Sequence, residues 1–261
     1  MQLTVMTYNL RAGQNPSGLE GVARVIAAHA PDVIGVQELD RNWARTGYVD
    51  QPAWLAERLG LHAVFAPAVH PAPGAEYGLA LLARWPIGAW EIRLLARGAD
   101  ETSPRGRQAE QRVVLLARVQ VPGGPRPAVV VTHFELIAAT RLIQAGQLVA
   151  WANEWAAGDP LIVMGDFNAE FGSPEIERLC GAFTHTWRAR PGTASDRAPY
   201  HTFPSGPAGS RTDDGWCGGI DHIFLGPGWT VQSCRVAYDE TRASDHQPAV
   251  ARIRLQGIMP G

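Results

Sequence analysis

Short apolar runs that end on a polar tip recur along the whole chain. LTVMTYN stops at Asn9, VIGVQE at Glu38, AVVVTH at His133, LIVMGDFN at Asp166 and Asn168, and ASDH at Asp245 and His246. GIDHIF places Asp221 and His222 at the start of a sixth run. A strand that delivers a carboxylate, amide or imidazole at its tip strips that group of water unless several tips meet at something polar. Strand ends gathered round a metal and a phosphate would satisfy all of them at once.

The same pattern predicts the elements. Alternation and short apolar runs give strands over Leu3–Asn9, Val33–Gln37, Ala63–Ala66, Leu79–Ala83, Ile87–Leu95, Val113–Val121, Val129–Thr132, Leu161–Met164, Ile220–Leu225, Val231–Tyr238 and Pro248–Leu255. Helical spacing covers Leu19–His29, which stops before Pro31, Pro52–Leu59, and Ala139–Trp155 with Leu142, Ala145, Val149 and Ala152 on one stripe. Ser173 is expected to cap a short helix that has Pro174 at its first position. Strands outnumber helices and many are hairpin-spaced. That favours an α/β (α+β) four-layer sandwich: two mixed, mostly antiparallel sheets packed face to face, with helices on the outside. No composition break marks a linker, so residues 1–261 read as one domain. Two long polar stretches interrupt the pattern. Arg97–Gln111 carries Arg97, Arg105 and Arg107, and Arg188–Gly219 carries Tyr200, His201, Phe203, Arg211 and Trp216. Loops of this length contact substrate or are plainly solvated.

Composition narrows the chemistry. All 23 basic residues are arginine, which excludes a Schiff-base lysine, a P-loop lysine or a lysine general base and leaves phosphate binding to arginine. With high Ala, Gly and Pro this suggests a GC-rich bacterial coding sequence. A net charge of -2 predicts no general attraction to nucleic acid, though a local basic groove stays open. Cys180, Cys217 and Cys234 lack metal-site spacing and read as reduced and incidental. No signal peptide precedes the first strand and no apolar run reaches the ~20 residues of a membrane span. A cytoplasmic protein without stable membrane insertion is the expectation, and no protein partner is evident.

Taken alone, Glu38 reads first as a surface carboxylate or a helix cap. Asp166 and Asn168 carry more weight, because the buried run before them holds Asp166 at a sheet edge. Two residues apart on an extended segment, they point the same way. They pair a base with an amide that can hold a water or a phosphate oxygen. Asp245-His246 lies in a constrained turn between Ser244 and Pro248. Oxygen ligands with two His and no Cys favour a hard cation, Mg2+ or Mn2+, over zinc.

TYN at Asn9, VQE at Glu38, TH at His133, GDFN at Asp166 to Asn168, IDHIF at Asp221 and SDH at Asp245-His246 occur in a recognisable order and spacing. From Leu3 to Leu255 the chain resembles the endonuclease/exonuclease/phosphatase superfamily, the deoxyribonuclease-I-like metal-dependent phosphoesterases. GDFN with the terminal SDH is the most specific part. The resemblance implies that Glu38 is the principal metal ligand, with Asp245 and Asn9 completing the site directly or through water. It implies that Asp166 orients or deprotonates the attacking water and that Asn168 holds that water or a phosphoryl oxygen. His246 would bond a non-bridging oxygen while Asp221 fixes its tautomer. His133 matches a second catalytic histidine, Glu76 or Tyr77 its partner, and Arg112 an arginine that contacts phosphate. The chain departs from the family at Phe134-Glu135, where Leu-Asp is frequent, and at His222, where Tyr is common; His222 is expected to pack beside the site.

The function these readings imply is a divalent-metal-dependent hydrolase of phosphate esters, a phosphodiesterase on a small-molecule or lipid phosphoester. A DNA or RNA endo- or exonuclease is the alternative, and a catalytically silent binding module on the same fold the remote one. A membrane-active form would need an exposed apolar hairpin. Trp85–Trp90 is the sole candidate and reads first as a core strand with a turn.

Overall fold

The computed structural model describes residues 1–98, 109–192, 200–205, 218–238 and 242–256. Arg105, Arg107, Arg211, Trp216 and Cys217 lie outside the described residues. In chain order the elements are β1 (Gln2–Asn9), α1 (Gly18–His29), β2 (Val33–Arg41), α2 (Gln51–Leu59), β3 (His62–Ala72), β4 (Ala75–Ala83), β5 (Ile87–Leu94), β6 (Val113–Val119), β7 (Ala128–His133), α3 (Ala138–Ala156), β8 (Leu161–Asp166), α4 (Pro174–Ala182), β9 (Thr184–His185), α5 (Thr186–Ala189), β10 (Asp221–Leu225), β11 (Trp229–Val236) and β12 (Ala249–Leu255).

Two six-stranded sheets result, in the orders β11-β12-β1-β2-β4-β3 and β5-β6-β7-β8-β10-β9. Each contains one parallel pair, β1 with β2 and β7 with β8, and is otherwise antiparallel. A parallel pair needs a crossover, and α1 and α3 supply them. Alternation along the strands then builds three cores. Val5, Val33, Leu81 and Ile253 of the first sheet meet Leu115, Val131, Met164 and Ile223 of the second in the central layer. Met6, Ile34, Val36 and Leu82 face outward into a core that also holds Val22, Ile26 and Leu55 of α1 and α2. Val130, Val163 and Phe224 face outward with Leu148 of α3 and Leu179 of α4. Each fully buried side chain of this size contributes roughly 1.5–3 kcal/mol. The four-layer sandwich expected from the sequence is therefore observed. At Gly35 the sheets come so close that a Cβ would stand 2.7 Å from Met164 Cγ, so any side chain here would force the Met164 side chain to move.

Three expectations need correction. The buried stripe of α3 is Gln144, Ala145, Leu148, Ala152 and Ala156, while Leu142 is 38% exposed. Gln144 takes the inner place because its amide bonds Glu135 N and Ala96 O, at 2.9 and 2.8 Å. Ser173 does precede α4 with Pro174 at its first turn, but its hydroxyl makes no cap bond. The Arg188–Gly219 stretch is not all loop, since Arg188 sits in α5. Trp85 and Ile87 pack on the central core and Trp90 is exposed on edge strand β5. Among the described residues no helix is long and apolar enough to cross a membrane. Cys180 and Cys234 are free thiols.

Candidate active site

Strand register assembles the site. On the second sheet His133 of β7 lies opposite Asp166 of β8, and Asp166 lies opposite Asp221 of β10. Three neighbouring strands thus bring three chemical groups to one level. On the first sheet Asn9 ends β1 opposite Gln37, one residue before Glu38. The sequence pattern stops β2 at Gln37, but the strand runs on to Arg41 through a register shift between Val36 and Leu39. Glu38 sits in that bulge with φ +59°. Left-handed backbone is uncommon for a side chain of this kind, and a bulge re-aims the residue it holds. Glu38 turns into the cleft, where its Oε1 accepts a hydrogen bond from Asn9 Nδ2 at 2.9 Å.

Asp166 is the centre of the arrangement. It is buried, and its Oδ1 accepts the Asn168 N–H at 2.8 Å. Its Oδ2 faces three groups: Asn9 Nδ2 at 3.0 Å, His133 Nε2 at 3.5 Å and His246 Nε2 at 3.7 Å. Burial, seconded by the charge of Asp221, lifts the Asp166 carboxyl to about 7, against the opposing pull of His246 and the bonds from Asn9 and Asn168. Asp166 and Asn168 do converge, but not along an extended segment. β8 ends at Asp166, and Asn168 adopts φ +47°, so a turn brings the amide round. Asn168 Nδ2 donates to Phe134 O at 2.9 Å.

The two site histidines differ in charge. His246 Nδ1 donates to Asp221 Oδ2 at 2.9 Å. Burial disfavours its proton, but Asp221, Asp166 and Asp245 outweigh that and raise it to about 10. Its Nε2–H therefore points toward Asp166 and the cleft at neutral pH. Phe203 covers the ring at a centroid distance of 4.7 Å. His133 is the reverse case, held neutral by burial and then by the charges of Arg112 and His246. Arg112 Nη1 lies 3.1 Å from His133 Nδ1, and because arginine only donates, Nδ1 accepts and Nε2 carries the proton. That proton faces Asp166. The 3.2 Å approach of Asn168 Nδ2 to the same nitrogen is a contact between two donors.

Arg112 is buried, and Glu110 Oε2 lies 3.1 Å from its Nη1. Tyr77 lines the cleft, while Glu76, its alternating neighbour, turns away and pairs with Arg41. Of that pair only Tyr77 joins the site. The hydroxyl of Tyr77 is kept neutral by burial, then by the charge of Glu38. The cleft holds about 360 Å³, and its lining adds residues the apolar runs did not point to: Arg11, Trp43, Arg45, Glu110 and Phe203. All five lie in turns and connections beyond the strand tips, where hydrophobic periodicity carries no signal.

Asp166, Asp221 and His246 offer ligand atoms all within 4.8 Å of one another. His246 Nδ1 and Asp221 Oδ2 bond each other, while the buried Asp221 Oδ1 has no hydrogen-bond partner among the described residues, so this trio can handle a proton as well as hold an ion. Glu38 and Asp245 open onto the cleft, with Asn9 beside them. Glu38, Asp245 and buried Asp166 place negative charge along one wall, and an oxygen donor set of this kind fits a hard divalent cation.

A cleft between two sheet ends, with crowded carboxylates, a charged and a neutral histidine and a buried arginine, can meet the charge of a bound oxyanion and pass a proton beside it. The chain belongs to the endonuclease/exonuclease/phosphatase family, whose model matches residues 6–246. Members of this family are in general divalent-metal-dependent hydrolases of phosphoesters. The chain is 32% identical over 145 residues to the uncharacterized protein YbhP of Escherichia coli strain K12; the match spans 52% of this chain and 51% of that protein. Its fold is similar to an endonuclease/exonuclease/phosphatase from Beutenbergia cavernae, with a TM-score of 0.76 and 23% identity over 98% of this chain and 72% of the other. It is also similar in fold to mannosyl-6-phosphatase Bt3783 of Bacteroides thetaiotaomicron, with a TM-score of 0.66 and 18% identity over 97% of this chain and 100% of that one.

Proposed function

We propose that the protein is a Mg2+- or Mn2+-dependent phosphodiesterase acting on a small-molecule or lipid phosphoester. The observation that carries this reading is the convergence of Asn9, His133 and His246 on one oxygen of Asp166, beside a cleft-facing Glu38. Glu38 and Asp245, with Asn9 in support, would hold a cation, which would supply Lewis acidity at the phosphate. Asp166, poised near neutrality, takes the proton of the attacking water at Oδ2. Asn9 and His133 hold that carboxylate in place. Asn168, whose amide nitrogen is fixed on Phe134 O, presents its carbonyl to the water. His246 stays protonated through Asp221 and meets the developing charge on a phosphoryl oxygen or the leaving oxygen. The modest, strongly polar cleft suits a compact substrate.

The test is hydrolysis of bis-p-nitrophenyl phosphate, p-nitrophenyl phosphate, plasmid DNA, RNA and sphingomyelin with Mg2+, Mn2+ or chelator. Cleavage of the diester should require the metal, and Asp166→Asn should lower turnover by about 10²–10⁴-fold while the protein stays folded. Preferred cleavage of DNA or RNA would move the reading to a nuclease. Full activity in chelator, or in the Asp166→Asn variant, would overturn it.

A further inference from the structure

Three arginines line the cleft, and their counter-ions separate them. Arg11 Nε lies 3.5 Å from Asp245 Oδ2, and Arg112 Nη1 lies 3.1 Å from Glu110 Oε2. Asp245 and Glu110 are themselves cleft residues, so both charges are answered inside the cleft. Arg45 differs. Its partner Asp40 is fully buried, does not line the cleft, and takes Arg45 Nε and Nη2 on its two oxygens, each at 2.7 Å. The Thr46 hydroxyl adds a third bond to Asp40 at 3.1 Å. Asp40 N in turn donates to Gln51 Oε1 at 2.9 Å, and Gln51 Nε2 donates to Ala12 O at 2.7 Å. The connection between β2 and α2 is thereby tied down on both sides.

Arg45 is thus anchored on one edge and open on the other. Its side chain is 36% exposed against 0% for Asp40, and among the described residues Nη1 has no hydrogen-bond partner. The guanidinium lies over the Trp43 ring at 3.6 Å, and Tyr77 stands 5.3 Å away. A guanidinium needed only to neutralise Asp40 would be buried with it. One fixed by a bidentate bond and a ring face, with an unbonded edge on a residue that lines the cleft, is preorganised for a planar or tetrahedral oxyanion. The guanidinium covers one face of the Trp43 ring, so that face is not open to a stacked base.

We propose that Arg45 forms a specificity subsite for a second anionic group of the substrate, a phosphate or carboxylate remote from the scissile ester. The proposal rests on the phosphoester reading of the same cleft. It assigns the preferred substrate to the doubly anionic phosphoesters, a class narrower than small or lipid phosphoesters as a whole.

The experiment compares matched esters that differ only in a remote acid: phenyl phosphate with 4-carboxyphenyl phosphate, and the methyl diester of each. The wild-type enzyme with Mn2+ should favour the carboxylated member roughly 10- to 100-fold in kcat/KM, chiefly through KM, the range of a charge-assisted hydrogen bond. Arg45→Gln alone would strand a buried carboxylate, so the informative variant is Arg45→Gln combined with Asp40→Asn. In it the preference should fall to near one, and Arg45→Lys should retain part of it. The same ratio is read at equilibrium by calorimetry with benzylphosphonate and 4-carboxybenzylphosphonate, which are not hydrolysed. A wild-type ratio near one, or an unchanged ratio in the double variant, overturns the subsite. Absent hydrolysis of every ester with the phosphonate preference intact would sink the hydrolase reading and leave the subsite standing.

Discussion

Asp221 and His222 are consecutive on β10 and face opposite sides of the same sheet, and each belongs to a buried imidazole pair of opposite character. On the cleft side His246 meets the Asp221 carboxylate at 2.9 Å and its proton is held to about pH 10. On the outer side His222 Nδ1 meets His185 Nε2 at 2.9 Å, and His222 Nε2 meets Ala169 O at 2.8 Å. Burial, only partly offset by the Ala169 carbonyl and Asp221, pushes His222 down to about 4. His185 is also lowered, by burial and then by the charges of His222 and Arg188. The proton assignment on the outer side has one solution. Ala169 O needs a donor, so His222 Nε2 carries the hydrogen and Nδ1 accepts from His185 Nε2–H. His185 Nδ1 then accepts the Trp187 N–H at 3.1 Å. All four ring nitrogens are satisfied with both rings neutral. Desolvation acts in the same direction on the two sides, and a carboxylate bonded directly to the ring, with Asp166 and Asp245 beside it, lets His246 alone carry charge. His222, the residue that departs from the family's usual Tyr, therefore belongs to the packing of Phe171, Tyr200 and Phe224 and not to the chemistry.

The comparison can be broken most severely by removing the charge of Asp221. Asp221→Asn keeps an acceptor for His246 Nδ1 and deletes only the carboxylate. Turnover should fall by about 10²-fold or more, and the alkaline limb of the rate profile should move down toward the ordinary imidazole value. Unchanged kinetics would mean that Asp221 does no more than pack.

A smaller effect, on stability, is expected on the outer side. His222→Leu strands the Ala169 carbonyl and the His185 Nε2–H, which should cost about 2–4 kcal/mol in denaturant unfolding. The folded fraction should still turn over substrate. A large loss of turnover at unchanged stability would contradict the division between the two faces. The pH dependence follows from the direction of the shift. The His222 pKa in the folded state lies below its unfolded value, so its contribution is fully present above about 6.5 and is lost as pH falls toward 4. His246 has the opposite sign: its contribution is present below about 6.5 and lost as pH rises toward 10. Stability measured between pH 4 and 6.5 should accordingly be less steep in His222→Leu than in the wild type.

Much of this arrangement is legible in the sequence, for a definite reason. Buried strands read as apolar runs, and a polar residue at the end of such a run must find a polar meeting place. That logic points to Asn9, Glu38, His133, Asp166, Asp221 and His246 without coordinates. It fails where geometry departs from period two. The bulge that turns Glu38 inward leaves no trace in the alternation. Only the register, with Tyr77 opposite Asp40 and Glu76 opposite Arg41, decides which of the two neighbours faces the cleft. β9 and α5 are too short to show a period. Arg11, Trp43, Arg45 and Glu110 arrive on connections whose path is set by hydrogen bonds such as those of Asp40 and Gln51. Gln144 displaced Leu142 from the inner face of α3 because two backbone groups needed its amide.

The most direct test of the central claim is the pH dependence of kcat/KM for bis-p-nitrophenyl phosphate at saturating metal, a substrate that does not itself titrate in the working range. A bell is expected, rising above the ordinary carboxylate range as Asp166 loses its proton and falling above the ordinary imidazole value as His246 loses its own, the two limbs belonging to the coupled site as a whole. A profile that rises only at ordinary carboxylate pH and falls near the unperturbed imidazole value would contradict it, since neither the burial of Asp166 nor the grip of Asp221 on His246 would then be governing the reaction.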